Sequence, residues 1–161
     1  MTIRERFAYV VDDDAAVRDS LVFLFEVDGI ATRGFASVEA FLHDLPNLPH
    51  GCVVTDIEMP DRGGFELLRA LQERSAGLPV IVMTGHSGLG AALQALVAGA
   101  FDFIEKPFRD ATILQTVHAA LGQQRAVPAR AAGTAGGAVE RLRARLAAGG
   151  TDAMPWFAAG Y

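Results

Sequence analysis

The sequence predicts an α/β domain built on a doubly wound parallel sheet, carried by the first 122 of its 161 residues. Five short apolar runs alternate with five segments of helical periodicity. Each run lasts four or five residues and ends in polar, Gly or Pro residues, as strands buried on both faces do. Composition agrees, because 51% of the residues are apolar, enough for a sizeable core.

In chain order, Phe7–Val11 is the first strand. Asp14–Val27 follows as a helix with Val17, Leu21, Leu24 and Phe25 at core spacing. Ala31–Phe35 is the second strand, and Ser37 is an N-cap for Val38–Asp44. Cys52–Thr55 is the third strand, followed by a helix over Gly64–Arg74 that presents Phe65, Leu67, Leu68 and Leu71. Val80–Thr84 is the fourth, followed by a small-residue helix over Leu89–Ala98 that Gly99 stops. Phe101–Ile104 is the fifth; Asp110 then caps Ala111–Leu121, with Ile113, Leu114, Val117 and Leu121 facing inward. Repeated βα units imply right-handed crossovers with helices on both faces. The flavodoxin-like (βα)5 order, 2-1-3-4-5, is the expected solution. It places a crevice at the C-terminal ends of strands 1 and 3, where the winding reverses.

Residues 1–122 carry 17 acidic and 9 basic side chains, a net −8, while residues 123–161 carry 2 acidic and 5 basic, a net +3. An acidic main domain argues against nucleic acid as its partner. Cys52 is the sole cysteine, so no disulfide framework or Cys-based zinc site is expected. No apolar run reaches transmembrane length, and Met1–Arg6 lacks a signal-peptide core. The expectation is a soluble, cytoplasmic chain without membrane contact.

Beyond residue 122 the character changes. Gln123–Gly137, rich in Ala, Gly, Arg and Pro, is expected to be a linker. Ala138–Ala148 has one short helical pattern, with Val139, Leu142 and Leu146 on one side. Gly149–Tyr161 is a loose end with Trp156 and Phe157 as anchors. The expected organisation is a domain over residues 5–122 and a flexible tail over 123–161.

Asp12 and Asp13 end the first strand, Asp56 the third, Thr84 the fourth and Lys106 the fifth. The second strand is expected to contribute nothing. Lys106 is the one lysine among 14 basic residues, in a chain that otherwise uses arginine, and a lysine is a compact point charge. Three clustered carboxylates need a cation, and Mg²⁺ held by carboxylates, waters and a phosphate suits them. A carboxylate is also a legitimate nucleophile toward phosphorus. Lys106 would pair with a phosphoryl oxygen and the Thr84 hydroxyl would donate to another. That set describes a phosphoryl-transfer site working by positioning and charge neutralisation. The four histidines, His43, His50, His86 and His118, show no metal-ligand spacing; three are expected to be plain surface residues, and His86 lies two residues past Thr84.

The runs Val10-Val11-Asp12-Asp13-Asp14, Val54-Thr55-Asp56-Ile57-Glu58-Met59-Pro60, Val82-Met83-Thr84-Gly85-His86 and Phe103-Ile104-Glu105-Lys106-Pro107-Phe108 resemble the receiver domain of two-component response regulators. Gly99–Phe108 is most similar to receivers of the FixJ-like, nitrogen-fixation subgroup. The resemblance implies that Asp56 takes a phosphoryl group from a sensor histidine kinase or phosphotransfer protein. It implies Mg²⁺ on the Asp13 and Asp56 side chains and the Glu58 backbone carbonyl, with Asp12 acting mostly through a water. It implies Thr84 and Phe103 as a switch pair, a cis Lys106–Pro107 peptide, and output or homodimerisation through the face of Leu89–Ala98, Phe101–Glu105 and Ala111–Leu121. Such a domain is no enzyme beyond its own phosphoryl transfer and slow autodephosphorylation.

Departures from the subgroup bear on behaviour. Ser87-Gly88-Leu89-Gly90 stands where relatives have Gly-Asp-Val-Pro, so a loose helix entry and low hydrogen-exchange protection from Ser87 are expected. Glu58 stands where many relatives have Arg, and with His86 is expected to alter the aspartyl-phosphate lifetime. Only 39 residues follow Gly122, so a helix-turn-helix reader is not expected, nor DNA binding by this chain. The alternatives are a truncated or phosphorylation-independent receiver, acting as an interaction module or phosphate sink. A haloacid-dehalogenase-type phosphatase shares the residue types but places its nucleophile on the first strand, where this chain has its acidic pair.

Overall fold

The computed structural model of the chain describes residues 6–59, 63–74, 76–85 and 89–126. The expected tail helix over Ala138–Ala148, the Trp156 and Phe157 anchors, and the His86-Ser87-Gly88 stretch lie outside the described residues.

Among the described residues there are five strands: β1 (Phe7–Val11), β2 (Ala31–Phe35), β3 (Cys52–Asp56), β4 (Val80–Thr84) and β5 (Asp102–Glu105). All neighbours pair in parallel, in the order β2-β1-β3-β4-β5. Five helices cover them: α1 (Ala15–Val27), α2 (Val38–Asp44), α3 (Gly64–Glu73), α4 (Leu89–Val97) and α5 (Asp110–Ala126). The expected fold class is the observed one.

Strand residues serve opposite layers alternately, as a pleated sheet requires. Tyr9, Val11, Val53, Val80, Val82 and Phe103 pack with residues of α2, α3 and α4. Ala8, Val10, Cys52, Val54, Ile81, Met83 and Ile104 pack with α1 and α5 through Leu21, Phe25, Ile113 and Val117. Burying a side chain the size of Phe25 contributes about 1.5–3 kcal/mol. Val17 and Leu24 of α1, Phe65 of α3 and Leu114 and Leu121 of α5 are only partly buried.

Helix starts follow local chemistry. The Asp14 carboxylate accepts the N–H groups of Ala16 at 2.9 Å and Val17 at 3.4 Å, so Asp14 caps α1 and is not part of it. Ser37 Oγ accepts the Ala40 N–H at 3.1 Å, as expected. At α3 the Glu66 carboxylate reaches back to the Gly63 N–H at 2.9 Å. Gly99, with φ of 113°, closes the end of α4.

Several boundaries differ from expectation, most by one residue: β3 extends to Asp56, and α3 and α4 end at Glu73 and Val97. β5 is shifted one residue, from Asp102 to Glu105, and the Phe101 N–H donates to the Val80 carbonyl at 2.7 Å just before it. Asp110 lies in the first turn of α5, where its charge suits the helix dipole, and the Arg109 carbonyl accepts the first helical bonds. α5 continues through Ala126, into the stretch expected to be linker.

Candidate functional site

The register brings the strand ends level. Val11 pairs with Phe35 and Thr55, Asp56 with Met83, and Thr84 with Glu105. Residues that end β1, β3, β4 and β5 therefore share one edge of the sheet, the crevice expected from the winding reversal.

Carboxylate oxygens of Asp12, Asp13 and Asp56 lie within 4.8 Å of one another. The Lys106 ammonium bridges two of them, at 3.1 Å from Asp56 Oδ2 and 3.4 Å from Asp12 Oδ2. The other oxygens are also held: Asp12 Oδ1 accepts the Asp14 N–H at 2.9 Å, and Asp56 Oδ1 accepts the Glu58 N–H at 3.0 Å. Asp12 is fully buried, Asp56 partly, and Asp13 is exposed at the mouth. Thr84 is buried at the end of β4, and its carbonyl accepts the Lys106 N–H at 2.8 Å. The Lys106–Pro107 peptide is cis. Phe103 packs in the layer of α2, α3 and α4, only 9% exposed.

Burial pushes the Asp12 carboxyl above its ordinary range, and the Asp56 charge adds to this, while the Asp14 N–H and Lys106 pull the other way. For Lys106, burial works against the charge. The Asp56 and Asp12 carboxylates together outweigh it, so the ammonium is held more firmly than usual. Three carboxylates against one ammonium leave the cluster with an uncompensated negative charge. Its donors are hard oxygens, one of them at the mouth, and that set fits a magnesium ion.

Glu58 contributes its backbone here, and its carboxylate is exposed and outside the cluster. With Ile57, Met59, Gly63, Phe65, Glu66 and Arg69 it lines an open groove of about 580 Å³. None of the three clustered aspartates lines that groove.

Two residues carried no expectation that matches their place. Arg18 Nη1 donates to the Asp12 carbonyl at 2.8 Å; its position in the first turns of α1 was the available signal. His118 was expected to be a plain surface residue. Its Nε2 lies 2.5 Å from Asp28 Oδ2 and its Nδ1 2.9 Å from Arg6 Nη1, so it ties α5 to the α1–β2 turn and the start of β1. That contact spans 90 residues of sequence to Asp28, so no local pattern announces it.

Residues 8–118 match the model of the response regulator receiver domain family. The chain is 50% identical over 115 residues to the transcriptional regulatory protein FixJ of Azorhizobium caulinodans, covering 71% of this chain and 54% of that protein. It is 46% identical over 115 residues to the C4-dicarboxylate transport transcriptional regulatory protein DctR of Rhodobacter capsulatus, covering 70% of this chain and 58% of that protein. The chain thus spans somewhat over half the length of these curated relatives. Among solved structures, the crystal structure of FixJ-N is similar with a TM-score of 0.71 and 42% identity, over 74% of this chain and 96% of that one. Among the described residues, no helix is long and apolar enough to cross a membrane. With its fold, its acidic cluster and these matches taken together, the chain belongs to the response regulator receiver family, on the FixJ-like side of it.

Proposed function

We propose that Asp56 is the phosphoacceptor, and that the chain relays a signal from a histidine kinase by changing its α4–β5–α5 face. The observation that carries this is the Lys106 ammonium seated between Asp56 and Asp12 beside an exposed Asp13. A carboxylate oxygen of Asp56 attacks phosphorus in line. The bond from phosphorus to the donor's imidazole nitrogen breaks as the new O–P bond forms, and the departing imidazole keeps its electron pair and takes up a proton. Lys106 moves from carboxylate to phosphoryl oxygen, and the Thr84 hydroxyl turns to donate to a second one.

The Asp12, Asp13 and Asp56 side chains with the Glu58 backbone carbonyl would hold Mg²⁺. When bound, the ion supplies positive charge for the transferring group. Asp13 reaches it from the mouth; Asp12, buried and already bonded twice, orients the cluster from below.

Phosphorylation adds about one to two negative charges and new acceptor oxygens beside Lys106 and Thr84. Moving a state from about 1% to dominance needs on the order of 5 kcal/mol, within reach of two or three desolvated charge-assisted bonds. Thr84 and Phe103 are the switch pair. Leu93 and Val97 on α4, 42% and 69% exposed, support this face as the surface for homodimerisation or partner contact. Residues 5–122 act as the receiver, with α5 running on to Ala126. The test is intact mass after incubation with acetyl phosphate and Mg²⁺: one phosphoryl adduct on the parent, none on Asp56→Asn. An equal adduct on both would reject Asp56.

A further inference from the structure

Gly34 of β2, the strand expected to contribute nothing, lies under the stem of Arg18. A Cβ at position 34 would stand 2.9 Å from Arg18 Cγ and 3.1 Å from its Cδ, closer than a side chain tolerates. The space left by glycine lets the Arg18 stem cross the end of the sheet, and Nη1 reaches the Asp12 carbonyl at 2.8 Å. β2 ends at Phe35, whose carbonyl takes the Asp12 N–H at 3.1 Å. Asp12 is thus held by β2 at its N–H and by Arg18 at its C=O. Arg18 is itself tied to the same turn, since its backbone N–H donates to the Asp14 carbonyl at 2.9 Å.

We infer that Arg18 is a positioning residue for the cation site, and that Gly34 is the gap that admits it. The Asp12 carbonyl belongs to the peptide joining Asp12 to Asp13, so the guanidinium fixes the plane from which both carboxylates project. A charged donor to a carbonyl gives a short, strong bond, and arginine carries it on a long stem with weak hydration. The effect is one of geometry: the charges that act on the Asp12 carboxyl are those of Lys106 and Asp56. The inference rests on the Mg²⁺ reading of the cluster, and it adds an outer support to that site.

The test is the Mg²⁺ dissociation constant, read from amide shifts of residues 13 and 56–58, for the parent, Arg18→Met, Arg18→Lys and Gly34→Ala, with a thermal melt of each. Arg18→Met keeps the stem over Gly34 and removes the donor. It is expected to weaken Mg²⁺ about tenfold, the lower end of what loss of an outer support costs a metal site. Arg18→Lys, which keeps one donor, recovers part of that loss. Gly34→Ala displaces the stem and weakens Mg²⁺ in the same way, and the Arg18→Met/Gly34→Ala double variant is no weaker than the worse single one, because both break one link. Parental Mg²⁺ affinity in folded Arg18→Met overturns the assignment. If that variant does not fold, parental affinity in both Arg18→Lys and Gly34→Ala overturns it instead. A parent that binds Mg²⁺ but takes up no phosphoryl group would reject Asp56 as acceptor while leaving this measurement intact.

Discussion

The Lys106 ammonium stands 3.1 Å from Asp56 Oδ2, so the proposed acceptor carboxylate already holds the group that would receive its phosphate. Phosphorylation therefore exchanges one partner of an existing ion pair for another and does not create a contact from nothing. Lys106→Arg keeps the charge but replaces a point with a planar fork. Expected: phosphoryl uptake from acetyl phosphate persists, within about threefold of the parent, while the shift of the Thr84 and Phe103 resonances on phosphorylation is largely lost. Parental resonance shifts in Lys106→Arg would show that the ammonium's shape is irrelevant.

Asp12 gives a stability prediction with a defined sign. Its folded carboxyl titrates above the unfolded value, so the folded chain binds more protons than the unfolded one between those two values, and stability falls as pH rises through that window. Asp12→Asn removes this burden. Without Mg²⁺ at neutral pH the variant is expected to melt about 3 °C higher than the parent. The difference should fall away through about pH 4 and vanish near pH 3, where Asp12 is protonated in both states. Added Mg²⁺ should stabilise the parent more than the variant. Melting curves from pH 3 to 8, with and without the ion, give all three readings.

Two glycines predict opposite outcomes for one substitution. A Cβ at Gly63 would run into the Ile57 carbonyl oxygen, in the peptide that joins Ile57 to Glu58, one residue past Asp56. Gly63→Ala is expected to cost about 1–3 kcal/mol in urea unfolding and to slow phosphoryl uptake, because the backbone bearing Asp56 must shift. At Gly90, in α4, a Cβ meets nothing within 4 Å. Gly90→Ala is expected to stabilise by about 0.5–1 kcal/mol. A neutral Gly63→Ala would mean the β3–α3 connection yields freely.

Tyr9 packs at a tilt against Phe35 and Phe41, with ring centroids 6.5 Å and 5.9 Å away, and its hydroxyl donates to the Pro49 carbonyl. Burial pushes its phenol up to about 12, with Arg33 pulling slightly downward. The folded state keeps the proton that the unfolded chain releases near pH 10, so stability is lost as pH rises from about 10 toward 12. Tyr9→Phe is expected to cost about 1 kcal/mol at pH 7 and to flatten the alkaline loss. Paired denaturation curves at pH 7 and pH 11 check both.

The fold was legible because buried parallel strands leave few choices: Phe7–Val11, Cys52–Asp56 and Val80–Thr84 are buried almost throughout and must be covered on both faces, whereas Ala31–Phe35, at the sheet's edge, buries only Thr32 and Phe35. The cluster was legible for a related reason, since acids ending such strands meet wherever the winding reverses. Boundaries were less so. Phe101 is apolar and buried but lies just before β5, whereas Asp102, a residue that sequence patterns expel from strands, is buried within it. α5 runs to Ala126 through residues whose composition suggested a linker. The contact of His118 with Asp28 depends on where the fold brings distant segments, and that of Arg18 with Asp12, six residues apart, on how α1 turns back over the end of β1; neither follows any periodicity.

The Lys106 N–H bonded to the Thr84 carbonyl at 2.8 Å has a mechanical consequence. The two groups proposed to grip the phosphate hang from one shared rung at the end of the sheet. If Thr84 is drawn inward, it drags the Lys106 backbone with it, and the converse holds. A backbone displacement at either position is therefore passed to the other, so a phosphoryl group that shifts one strand end would be felt at both.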